Sequence, residues 1–174
     1  MKLSVVYDGW DGYQRSLALA IEPLNEEQLA FRGSANMRSV GEIAFHLSWG
    51  RMEWFQRMGV AEAADLLSNM EPIQGSPSSL TGAELAGWLD KSWAVIATVL
   101  DSWTTEDLAA TFEQPYQGKL YAVSRQWVIW RILTHDVHHG GQLSELLAMQ
   151  EIEPVELTLL GGHLTEPTVI RSLQ

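Results

Sequence analysis

Apolar residues recur at steps of three and four in four long stretches of the chain, which predicts four amphipathic helices. Over residues 4–21 the stripe is Val6, Trp10, Tyr13, Leu17 and Ile21, and Pro23 closes it. Over residues 40–58 it is Ile43, Leu47, Trp54 and Met58. Ser39-Val40-Gly41-Glu42 precedes this second stripe in the form of a capping box, each end residue serving the other's backbone amide. A second capping box, Thr81-Gly82-Ala83-Glu84, opens a third helix carrying Leu85, Trp88, Leu89, Ile96, Val99, Leu100 and Trp103. Ser124 is the N-cap of a fourth helix that runs to Gln150.

The connections differ in kind. Residues 22–38 are polar, with a turn at Gly33-Ser34-Ala35-Asn36. Residues 59–80 are broken by Pro72, Gly75 and Pro77, with a short helical piece over 61–67. Their length suits a crossover between helices 2 and 3 rather than a tight antiparallel link. Residues 104–108 read as one helical turn, and 110–123 as a short β-hairpin turning at Gln117-Gly118-Lys119. After Gln150, residues Pro154, Gly161, Gly162 and Pro167 argue against another long helix. The expected fold is all-α: a four-helix bundle with a β-hairpin before helix 4. It forms a single domain over 1–174, with 151–174 as an irregular tail.

Charge narrows the partners. The 174 residues carry 22 acidic against 11 basic side chains, a net charge of −11 with histidine neutral. Nucleic acid and anionic membrane surfaces are repelled by that balance. There is no cysteine, which excludes disulfides, thiolate ligands and a cysteine nucleophile, so any thiol chemistry needs an external thiol. The first residues, MKLSVVYDGWDGY, lack the apolar run of a signal peptide, and no stretch reaches the ~20 apolar residues of a membrane span. The expected location is the cytoplasm. Eight tryptophans supply large flat side chains for a core, a pocket or an interface.

The candidate chemistry lies on the fourth helix, where His135, His138 and His139 fall within five residues. His135 and His139 stand one turn apart, about 6 Å along the axis, on one face. That spacing lets two imidazoles share a metal ion. With His135 as reference, Ser124, Val128, Arg131, His139, Gln142, Leu146 and Met149 fall within about 40°. The face is thus apolar at both ends and polar in the middle. Histidines satisfied by hydrogen bonds are the other reading of the cluster. His46, on the second helix near its apolar stripe, offers a third imidazole. Three neutral imidazoles leave an open position in a zinc-like site, and the same donors suit nickel, cobalt or iron. Zinc and nickel lead the expectation, and the sequence does not choose between them.

His138 falls to the rim. Glu42, one turn before His46, reads as a cap before it reads as a ligand. A di-iron site needs Glu-x-x-His pairs, which no helix carries. Gln142 is placed to donate to a ligand or a bound water. Arg131, one turn before His135, is either an anchor for a substrate anion or half of an ion pair. Gly140 and Gly141 weaken the helix interior, which implies close packing against them. His163 in the tail reads as exposed. Ile129, Leu133, Val137, Gly140 and Leu147 make a second apolar side, to be covered by this chain or by a second subunit across a twofold axis.

Two motifs in this order carry a family resemblance. Arg38-Ser39-Val40-Gly41-Glu42-Ile43-Ala44-Phe45-His46-Leu47 is followed by His135-x-x-x-His139-Gly140-Gly141-Gln142-Leu143. The pattern resembles the DinB/YfiT-like superfamily and extends helix by helix over nearly the whole chain. The resemblance implies an up-down-down-up four-helix bundle, often dimeric, with a divalent metal held by His46, His135 and His139. Characterised relatives include thiol-dependent S-transferases and a mycothiol-dependent maleylpyruvate isomerase; others look like hydrolases. One local departure is Glu151, where relatives often carry glycine after the fourth helix. The leading expectation is a metal-dependent S-transferase that joins a low-molecular-weight thiol to a small electrophile, with Gln142 and Arg131 orienting. The alternatives are a hydrolase using metal-bound hydroxide and a non-catalytic, stress-related metal-binding dimer.

Overall fold

The computed structural model describes residues 1–153. The expected tail, including His163, lies outside the described residues. Seven helices and one hairpin follow in order: α1 (Leu3–Val6), α2 (Trp10–Ile21), α3 (Glu26–Ala30), α4 (Val40–Arg57), α5 (Ala61–Met70), α6 (Gly82–Ser102), β1 (Thr111–Tyr116), β2 (Lys119–Ser124) and α7 (Arg125–Ala148). Helices α2, α4, α6 and α7 form the bundle.

Contacts along the helices set their directions. Trp54 meets Trp127 while His46 meets His139, so α4 and α7 are antiparallel. Gly41 faces Leu85 while Arg51 reaches Leu89 and Ser92, so α4 and α6 run parallel. Trp10 meets Trp93 and Ile21 abuts Gly82, so α2 opposes α6. The result is up-down-down-up. Parallel α4 and α6 require a crossover. α5 and two short 3₁₀ turns, Glu71–Ile73 and Pro77–Ser79, supply it.

The caps act as their sequences predict. The Ser39 hydroxyl accepts from the Glu42 amide, and Glu42 accepts from the Ser39 amide. Thr81 and Glu84 repeat the exchange, and Ser124 accepts from the Trp127 amide. The hairpin pairs Thr111 with Ser124 through Tyr116 with Lys119. Gln117 and Gly118 both have positive φ, 47° and 72°, the primed turn that matches strand twist.

Three elements differ from expectation. The first helix is two, broken at Gly9 with φ 96°, a backbone that glycine adopts without strain. The break lets Leu3 donate its amide to the Trp103 carbonyl and bury under the end of α6. The 22–38 connection contains α3, opened by a third capping box between Asn25 and Gln28. α5 reaches Met70, beyond residue 67. At the end of α7 the chain reverses at Glu151, φ 58°, and Ile152 donates to the Leu147 carbonyl. Glycine is the usual residue for that left-handed position, and a glutamate there adds local strain.

The core is filled by Leu17, Ile21, Ile43, Leu47, Leu85, Leu89, Ile96, Val128, Ile132 and Leu143, all essentially inaccessible to solvent. At its centre lie two charged side chains, Arg51 and Asp136, each fully buried. No helix among the described residues is long and apolar enough to cross a membrane.

Candidate metal centre

His46 of α4 and His135 and His139 of α7 converge between the two helices. The His46 and His135 Nε2 atoms are 3.1 Å apart. The His139 ring centre lies 4.9 Å from that of His46 and 4.4 Å from that of His135. One ring nitrogen from each lies within 4.8 Å of the others, and the three can hold a metal ion. Tetrahedral zinc with bonds of about 2.0–2.1 Å spaces its nitrogens roughly 3.3–3.4 Å apart, so only small ring movements bring all three into place.

Each imidazole is prepared locally. Gly50 makes room for His135: a Cβ there would lie 3.2 Å from the His135 Cε1. Gln142 Oε1 stands 2.6 Å from His139 Nδ1, and the tautomer that donates Nδ1–H to it keeps the Nε2 lone pair for the site. His135 Nδ1 is buried with no hydrogen-bond partner among the described residues. Burial, reinforced by Arg38 and His139, lowers His46 to about 4. Burial first, then the neighbouring imidazoles and Arg131, lowers His135 to about 3. His139 is also lowered by burial, against the opposing pull of Gln142. All three are therefore neutral near pH 7, the form in which imidazole binds a metal. Donor type, spacing and protonation all fit a divalent ion.

The other predicted residues separate. His138 is exposed on the rim, its ring 5.0 Å from that of His139. Glu42 is engaged as a cap and paired with Arg32 at 2.9 Å, so the cap reading holds over the ligand reading. Arg131 forms no ion pair among the described residues; its guanidinium lies 5.2 Å from the Trp54 ring and 5.6 Å from Trp127. Gln142 stands beside His139, its Oε1 2.6 Å from Nδ1.

Sequence reading missed what stands behind the histidines. Asp136 takes Arg51 Nε at 3.1 Å and Nη2 at 2.8 Å, and Trp10 Nε1 at 2.9 Å. Arg51 Nη1 reaches Gln14 at 2.6 Å, Ser92 at 3.1 Å and the Leu89 carbonyl at 3.3 Å. Tyr13 donates to the Asp136 carbonyl and packs into the space left by Gly140. A signal was present: by helical rotation Asp136 falls in the middle of the stripe Ile132, Leu143, Ile129 and Leu147. An acid there needs a buried partner.

The described part of the second apolar side of α7 is mostly covered by the chain itself. Ile129, Gly140 and Leu147 are buried, Leu133 is half-buried, and Val137 remains exposed, as does Trp130 about two turns before it.

Comparison with known proteins gives the same architecture. A crystal structure of a DinB-like protein from Bacillus cereus ATCC 10987 superposes with a TM-score of 0.56 over 92% of each chain, at 16% sequence identity. That likeness speaks for the fold. No curated protein matches the sequence. The profile of the DinB superfamily matches residues 11–143, a span that contains all three histidines, and the chain belongs to that superfamily.

Proposed function

We propose that this protein is a divalent-metal-dependent enzyme that activates a small external thiol for transfer to a small electrophile. The observation that carries the reading is the convergence of three neutral imidazoles from two helices. His46, His135 and His139 hold the ion, zinc or nickel being the first to test. When bound, such an ion acts as a Lewis acid that lowers the pKa of a coordinated thiol or water. Gln142 keeps the proton of His139 on Nδ1 and so fixes which nitrogen faces the site. Arg131, laid against the tilted indoles of Trp54 and Trp127 one turn before His135, orients an anionic group of the substrate. With no cysteine in the chain, the thiol comes from solution.

The same nitrogen donors suit hydrolysis equally well, and thiol dependence separates the two readings. Purified protein is expected to carry stoichiometric metal and to consume a thiol-reactive fluorogenic electrophile only when a low-molecular-weight thiol is added. His135→Ala is expected to lose metal and turnover together. Full turnover in that variant sinks the proposal; turnover of esters or amides without thiol moves the assignment to a hydrolase. Bound metal with no turnover on either panel leaves a metal-binding protein without chemistry. We also propose a homodimer, formed through the exposed stripe of Trp130 and Val137 on α7.

A further inference from the structure

We propose that the buried Arg51–Asp136 pair is the positioning element of the histidine site, fixing the register of α7 against α4 where His135 and His139 meet His46. The proposal rests on the metal-binding reading above. Gly50 and Arg51 are consecutive on α4, and His135 and Asp136 are consecutive on α7. Gly50 receives the His135 ring while Arg51 binds the Asp136 carboxylate, so the two cross-helix contacts lie at one level.

Apolar packing alone is a poor ruler, because hydrophobic attraction has no direction. A guanidinium–carboxylate pair has strict geometry. Here it is extended on every side. Arg51 ties α4 to Gln14 of α2 and to Ser92 and Leu89 of α6, while Trp10 and Tyr13 of α2 bind residue 136 itself. The other three bundle helices thus hold α7 one residue from a metal ligand, α2 and α4 directly and α6 through Arg51. A slide of α7 by one turn, about 5.4 Å, forfeits the bonds from Arg51, Trp10 and Tyr13 to residue 136 together. A buried ion pair is by itself weak evidence for stability, since well-packed apolar replacements are often neutral or stabilising. Its use is registration.

The test is cobalt(II) binding by full-length protein, read as affinity and as the visible d–d band at saturation. The band reports ligand geometry whatever the affinity. The double variant Arg51→Met/Asp136→Leu removes both charges and keeps bulk. It is expected to fold, by circular dichroism and a cooperative melt. Its cobalt affinity is expected to fall about 10–100-fold, the usual effect of losing a residue that supports a ligand, with an altered band. A folded double variant with wild-type affinity and band overturns the proposal. Should the double variant not fold, Arg51→Lys decides: it keeps the charge but lacks the planar fork. It is expected to bind cobalt more weakly with a shifted band, and wild-type behaviour overturns the proposal. A wild-type protein that takes up no cobalt overturns the metal reading, and this inference with it. Binding by wild type with unchanged variants sinks this inference alone.

Discussion

Gly140 and Gly141 are neighbours on α7 with opposite surroundings. A Cβ on Gly140 would overlap the Tyr13 hydroxyl, whereas a Cβ on Gly141 meets nothing within 4 Å. The sequence predicts close packing at both, and the structure supplies it only at Gly140. Gly140→Ala is therefore expected to push Tyr13 off its carbonyl partners and destabilise by about 1–3 kcal/mol, as overpacking does. Gly141→Ala is expected to stabilise by up to about 1 kcal/mol, because alanine loses less backbone freedom in a helix. Urea denaturation of both variants checks the pair, and equal midpoints contradict the packing account. The same contrast explains what was legible at single residues. His135 and His139 announced themselves by spacing, and Ser39 with Glu42 by a local exchange of hydrogen bonds. Asp136 did not, because its partners Arg51 and Trp10 lie 85 and 126 residues away. Only its place inside an apolar stripe hinted at them.

Element boundaries follow the same logic. Periodicity found α4, α6 and α7 nearly to their ends, since each buries one continuous stripe and carries its own cap. It ran α1 and α2 together, because the apolar steps continue across Gly9 while the backbone turns there. It passed over α3, whose five residues are too few for a stripe and whose signature is the Asn25–Gln28 cap. The second apolar side of α7 was visible, but not what covers it. Tyr13 and Leu17 of α2 face Gly140, leaving Trp130 61% and Val137 51% exposed. If these join two copies, light scattering is expected to give a dimer for the wild type and a monomer for Trp130→Glu, since a charge in an apolar contact is costly. A monomeric wild type removes that interface.

For the whole molecule, the partly buried imidazoles predict how stability depends on pH. In the unfolded chain histidine titrates near 6.5; in the fold His46 is lowered to about 4 and His135 to about 3, with burial the chief cause. Between those values the unfolded state binds more protons than the folded one, so stability rises with pH. The histidine contribution is fully present above pH 6.5 and is lost as pH falls toward the folded values. Carboxylates lowered in the fold, such as Glu42 and Asp107, act in the same direction, but their ordinary values are 4.5 and 3.8. The interval from 6.5 down to about 4.5 therefore belongs mainly to the histidines. Metal-free protein is expected to show a Tm that drops steadily across that interval. His135→Gln keeps a polar group of similar size that does not titrate, so its drop should be visibly smaller. Because protons and metal compete for the same lone pairs, added zinc should raise Tm strongly at neutral pH and progressively less toward pH 4.5. Parallel wild-type and His135→Gln profiles would mean that the acid sensitivity arises elsewhere. A zinc-induced shift independent of pH would separate the ion from the imidazoles altogether.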